Sequence, residues 1–115
     1  VQPGRFNFSL YQGDTFSTAP AWKINGNYVN VTGYSADMQV RQDVDSASII
    51  VELSTANGRI VAGTTDGKFT LSLTATETAA LPPGNYVYDL EVTSPGGIVT
   101  KILTGGFAVI AEVTQ

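Results

Sequence analysis

From Tyr34 to Arg41 the chain alternates without a break: Tyr34, Ala36, Met38 and Val40 on one side, Ser35, Asp37, Gln39 and Arg41 on the other. A period of two sends successive side chains to opposite faces of a strand, and a helix cannot gather such a pattern on one face. The same alternation recurs in Phe6, Phe8 and Leu10, in Ile49, Val51 and Leu53 (with Glu52 outward), in Phe69, Leu71 and Leu73, and in Tyr86, Tyr88, Leu90 and Val92. Each stripe is apolar on one face only, so each needs a second layer to cover it. The chain is therefore constrained to an all-β fold of stacked sheets.

Turn residues cut these stripes at short intervals. Gly13-Asp14, Asn25-Gly26, Thr32-Gly33, Asn57-Gly58, Asp66-Gly67 and Ser94-Pro95-Gly96-Gly97 all supply turn chemistry. Between the first two, one strand is expected over Thr15–Ile24, with Pro20 at an edge or bulge. A short strand is expected over Tyr28–Val31. Thr74-Ala75-Thr76-Glu77 has the spacing of a capping box, and Pro82-Pro83-Gly84 stops what it starts, so one helical turn is expected near 75–81. Gly105-Gly106 inside an apolar stretch reads as a bulge or kink. The expectation is an antiparallel β-sandwich of about seven to nine short strands, immunoglobulin-like. It occupies residues 1–115 as one domain, with 1–4 as an N-terminal arm and 107–115 as a C-terminal strand or tail.

Leu81-Pro82-Pro83-Gly84-Asn85-Tyr86 resembles the approach to strand F in fibronectin-type and immunoglobulin-type domains. That resemblance implies a structural corner in which the hydroxyl of Tyr86 or Tyr88 reaches back to the preceding loop.

Composition narrows the function. The 115 residues include six Lys and Arg against ten Asp and Glu, no His and no Cys, for a net charge of −4. The six basic residues are scattered singly, which argues against nucleic acid and against an anionic membrane surface. Without imidazole or thiol, the usual neutral-pH base, the commonest metal ligands and the strongest nucleophile are missing. No cofactor and no enzyme activity are expected. Charged residues are only 14% of the chain, which suits a surface that touches protein rather than water.

A few residues merit weighing as sites. Asp89 and Glu91 share a strand face and resemble an acid pair, but a solvated outer face is the preferred reading. Asp43 and Asp45 offer oxygens to a cation, yet their loop lacks the glycine and glutamate of a calcium hand and reads as an Asx turn. Trp22, Tyr28 and Tyr34 would make a sugar-stacking platform if exposed, although Trp22 reads as a core residue.

Several segments together carry a family resemblance. They are Tyr11-Gln12-Gly13-Asp14-Thr15-Phe16, Ala21-Trp22-Lys23, Val31-Thr32-Gly33-Tyr34 running on to Arg41, and Leu81 through Leu90. In this order they resemble small structural proteins of tailed bacteriophages, and are similar to the immunoglobulin-like N-terminal domain of phage upper baseplate proteins. The resemblance implies a virion structural protein: a non-catalytic module docking onto capsid, neck, tail or baseplate proteins, in multiple copies on a symmetric assembly. Baseplate proteins continue into a long further region, while this sequence ends at Gln115, so head decoration and tail-accessory roles are both expectations. Candidate docking segments are the arm Val1, Gln2, Pro3 and Gly4 and, near the other end, Phe107, Val109 and Val113, because exposed sheet edges accept added strands. The alternative expectation is a carbohydrate-binding module mediating attachment to a bacterial surface.

Overall fold

In the computed structural model, residues 4–43, 45–46 and 48–111 are described. Strands run in chain order as β1 (Gly4–Arg5), β2 (Phe8–Tyr11), β3 (Phe16–Thr18), β4 (Lys23–Ile24), β5 (Asn27–Tyr28), β6 (Ser35–Arg41), β7 (Ile49–Ser54), β8 (Ile60–Ala62) and β9 (Phe69–Leu73). The helical turn α1 (Ala75–Ala79) follows, then β10 (Gly84–Thr93) and β11 (Val99–Ile110). The larger sheet has the order β1-β11-β10-β6-β7, with β2 also on β11, and the smaller sheet is β3-β9-β8. β1 and β2 run parallel to β11, while all the other pairings are antiparallel. Successive strands change sheets between β2 and β3, β3 and β6, β7 and β8, and β9 and β10, which makes this an immunoglobulin-like β-sandwich.

The alternating stripes meet between the sheets. Met38, Val40, Leu53, Leu90, Val92 and Phe107 from the larger sheet face Ile60, Phe69, Leu71 and Leu73 from the smaller, all almost fully buried. Each such side chain contributes about 1.5–3 kcal/mol by leaving water. An aromatic cluster closes one end of this core: Phe8 lies 5.0 Å from Tyr88 and 6.0 Å from Phe16 between ring centroids, and Phe16 lies 6.0 Å from Phe107.

Local signals account for most boundaries. Asn25 and Gly26 both take positive φ, 52° and 82°, as the tight turn joining β4 to β5 requires. Thr74 caps α1 reciprocally: its side chain accepts from Glu77 N–H, and the Glu77 carboxylate accepts from Thr74 N–H at 2.8 Å. The Gln12-Gly13-Asp14 turn is bolted onto α1. The Gln12 amide donates to the Leu81 carbonyl at 2.7 Å, and the buried Thr78 hydroxyl donates to the Asp14 carbonyl at 2.7 Å.

Three expectations need correction. The strand expected over Thr15–Ile24 is two strands, β3 and β4, because Pro20 has no N–H to continue the ladder with β9. After an isolated bridge between Ala21 and Lys68, the chain leaves the sheet for the β4–β5 hairpin. That hairpin also shortens the strand expected over Tyr28–Val31 to Asn27–Tyr28. In β7 the register against β6 slips between Val40 and Arg41. Ile49 is thereby rotated outward and is 41% exposed rather than inward. Strands of at least three residues number eight among the described residues; the two-residue β1, β4 and β5 bring the total to eleven.

Candidate functional site

The end of the sandwich where β6 begins and β10 finishes gathers three connections. The β4–β5 hairpin is held by Val29 N–H donating to the Trp22 carbonyl at 3.0 Å. The turn at Asp66-Gly67 joins it through Trp22 N–H donating to the Gly67 carbonyl at 2.8 Å. The β10–β11 turn closes on itself, with Ser94 N–H bonded to the Ile98 carbonyl at 2.9 Å. It sits against the same region, since a side chain at Gly33 would touch Pro95. On this end Ile24, Tyr28, Ile98 and Val99 remain 41%, 54%, 70% and 59% exposed. Sequence reading missed Ile98 and Val99; the only signal was two β-branched residues directly after a Gly-Gly turn.

The aromatic trio does not form a platform. Trp22 is half-buried and packs edge-on against Tyr34, with ring centroids 6.1 Å apart. Tyr28 is exposed, but the Lys23 ammonium lies over its ring, 4.5 Å from the centroid.

The outer face of the larger sheet carries the carboxylates. Register places Asp37 opposite Glu91 and Gln39 opposite both Asp89 and Glu52. Burial, a side-chain hydrogen bond with Glu52, and the charges of Glu52, Glu91 and Asp89 push the Asp37 carboxyl up to about 6. Its Oδ1 is buried with no hydrogen-bond partner. Asp89 is engaged by Lys101 at 3.0 Å, and that hydrogen bond holds the ammonium above its usual range. Asp89 and Glu91 thus stand on the outer face as two of several carboxylates. Asp43 Oδ1 accepts from Asp45 N–H at 3.0 Å, the Asx geometry. Among the described residues no group of three or more His, Cys, Asp or Glu is arranged to hold a metal ion, and no helix is long and apolar enough to cross a membrane.

The remaining sequence candidates fall as follows. Tyr86 Oη donates to the Pro82 carbonyl at 2.7 Å, the corner geometry, while Tyr88 Oη donates across the sheet to the Phe6 carbonyl at 2.6 Å. Gly4 is exposed and paired in register with Leu103. Phe107 and Val109 are corrected as docking residues: they are 1% and 4% exposed, because alternate residues of β11 face the second sheet. Val1, Gln2, Pro3 and Val113 lie outside the described residues.

No family model matches the chain, and no curated protein does. Among solved structures it is similar to CopC from Methylosinus trichosporium OB3b, at 16% identity and TM-score 0.47, covering 100% of this chain and 90% of that one. Murine CRIg aligns at 11% identity and TM-score 0.44, covering 92% of each chain. Extracellular domains 3–5 of Drosophila OTK align at 14% identity and TM-score 0.33, covering 96% of this chain and 33% of that one. At these scores the likenesses say nothing about activity, and the fold class rests on the strand order itself.

Proposed function

We propose that the chain is a non-catalytic structural module of a tailed bacteriophage virion that works by docking onto other virion proteins. The observation that supports the contact role is the exposure of large apolar residues on the β4–β5 hairpin (Ile24, Tyr28) and around the β10–β11 turn (Ile98, Val99). The virion setting is supported by the sequence resemblance over Tyr11–Phe16, Val31–Arg41 and Leu81–Leu90. The Gln12-Gly13-Asp14 turn of that resemblance has a scaffold role, through its bonds to Thr78 in α1 and to Leu81 just after it. A sandwich fold alone would not select this reading, because sandwiches host many functions.

Purified particles separated into heads and tails, then quantified by mass spectrometry, test the proposal. The chain is expected at a fixed ratio to a major structural protein in one fraction, with incorporation reduced by the Ile98→Asp, Val99→Asp double variant. A chain that never enters particles removes the proposal. The carbohydrate-binding alternative has one favouring observation, the exposed Tyr28. It predicts glycan binding that Tyr28→Ala abolishes.

A further inference from the structure

The sequence holds two Asn-Gly pairs, Asn25-Gly26 and Asn57-Gly58. In such a pair the glycine nitrogen can attack the asparagine side-chain amide, because no side chain shields that nitrogen and the backbone turns freely there. The other asparagines precede Tyr, Val or Phe, whose side chains crowd the same nitrogen. By sequence and setting the two pairs are equivalent. All four residues are exposed. Gly26 and Gly58 take φ of 82° and 80°, and a side chain added at either would meet nothing within 4 Å.

What separates the pairs is how each asparagine side chain is held. Asn57 is tied at both ends of its amide. Its Oδ1 accepts from Ser54 N–H and from Arg59 N–H, each at 3.0 Å, and its Nδ2 donates to the Glu52 carbonyl at 3.0 Å. Its own N–H donates to Ser54 Oγ at 3.1 Å. Cγ of Asn57 reaches the Gly58 nitrogen only if the side-chain bonds break. Asn25 has no such anchorage. Among the described residues its side chain makes no hydrogen bond, and its backbone carbonyl alone accepts from a side chain, Asn27 Nδ2 at 3.5 Å.

The supporting elements differ in the same sense. The tight turn at Asn25-Gly26 must open before the Gly26 nitrogen can swing under Cγ. β4 and β5 are two residues each, pair only with one another among the described residues, and are exposed throughout. A segment with so few buried contacts opens locally at little cost, while the rest of the fold stays closed. The bond at the hairpin's base, Val29 N–H to the Trp22 carbonyl, need not break.

We infer that Asn25 is a self-modification site: in the folded protein it converts to aspartate and isoaspartate through a cyclic imide with Gly26, while Asn57 is protected. Hydroxide takes the proton of Gly26 N–H, the nitrogen bonds to Asn25 Cγ, and the Cγ–Nδ2 bond breaks with ammonia leaving. Water then opens the ring. Cleavage between Cγ and the nitrogen gives aspartate, and cleavage between the Asn25 backbone carbonyl carbon and the nitrogen gives isoaspartate. The sum is amide plus water giving carboxylate plus ammonium. Each conversion adds one negative charge to a chain of net charge −4. Isoaspartate also lengthens the turn between Ile24 and Tyr28 by one backbone carbon. The inference stands apart from the docking role, since it is read on the isolated chain.

The test is peptide mapping by mass spectrometry after the full chain has aged in mildly alkaline buffer, once folded and once in urea. In the folded chain, aspartate and isoaspartate are expected at 25 at least about tenfold faster than at 57, the ratio that the three side-chain hydrogen bonds of Asn57 account for. In urea that gap is expected to close. Asn25→Gln, which would need a larger ring, is expected to remove most of the new acidic species seen by ion-exchange chromatography. Asn57 converting as fast as Asn25 in the folded chain overturns the inference, as does an Asn25 that stays intact. A gap undiminished by urea also overturns it, because the difference would then belong to the flanking sequence and not to the fold.

Discussion

Asp37 is the residue whose chemistry departs furthest from its sequence context. Alternation placed it on the outer face, and it is there, but no local pattern shows that Glu52, Asp89 and Glu91 from two neighbouring strands converge on it. Its carboxyl sits at about 6 in the fold against 3.8 for the unperturbed group. A raised pKa means that the folded state holds the proton more tightly than the unfolded state. The stability this contributes is complete below pH 4 and is lost as pH climbs through 6. The groups held low, Glu77 through the Thr74 N–H and Asp66 through the Lys68 N–H, act oppositely and at more acid pH. Urea unfolding between pH 4.5 and 7.5 should therefore show the parent losing about 1 kcal/mol as pH rises, allowing for solvent screening. Asp37→Asn should flatten that slope and match or exceed the parent at pH 7.5. A variant that keeps the parent's slope would assign the pH dependence elsewhere.

At the scale of elements, what could be read in advance was what is local. β6 and β10 follow from alternation, the β4–β5 turn from Asn25-Gly26, and α1 from the Thr74–Glu77 box. Pro20 marked the place of the break after β3, but that the chain leaves β9 there, like the slip in β7, is settled by a partner strand. The candidate surfaces failed for the same reason: Phe107 and Val109 look like a free tail until β10 and β2 are seen on either side of β11. One device at an edge also escaped notice. β7 borders the larger sheet, and its outward groups are covered by side chains rather than by a strand. Ser54 N–H donates to Asn57 Oδ1 at 3.0 Å, and the Glu52 carbonyl accepts from Asn57 Nδ2 at 3.0 Å and from Arg59 Nη1 at 2.8 Å. Such covering discourages edge-to-edge association. Asn57→Ala is expected to cost about 1–2 kcal/mol and to raise the fraction of oligomer seen by sizing chromatography. An unchanged oligomer fraction would show that the Asn57 cover does not keep this edge from pairing.

For the molecule as a whole, the two sheets share one core, and neither sheet buries its stripe without the other. Unfolding should therefore be a single event. Trp22 fluorescence reports the hairpin end and far-ultraviolet circular dichroism reports all the strands, so their denaturation curves are expected to coincide. A separate early transition in fluorescence would mean that the β4–β5 hairpin opens independently. β11 spans twelve residues, roughly 40 Å, nearly the full 44 Å of the longest dimension. β1 and β2 run beside it in the same direction, closed down by the Tyr88 hydroxyl on Phe6 and by Gly106 N–H donating to Asn7 Oδ1 at 2.8 Å. Because the first and last strands lie parallel, tension applied through the chain on either side would drag them lengthwise past each other. Their bonds would then be loaded together in shear instead of being unzipped one by one, so the fold has a mechanical clamp where the polypeptide enters and leaves it.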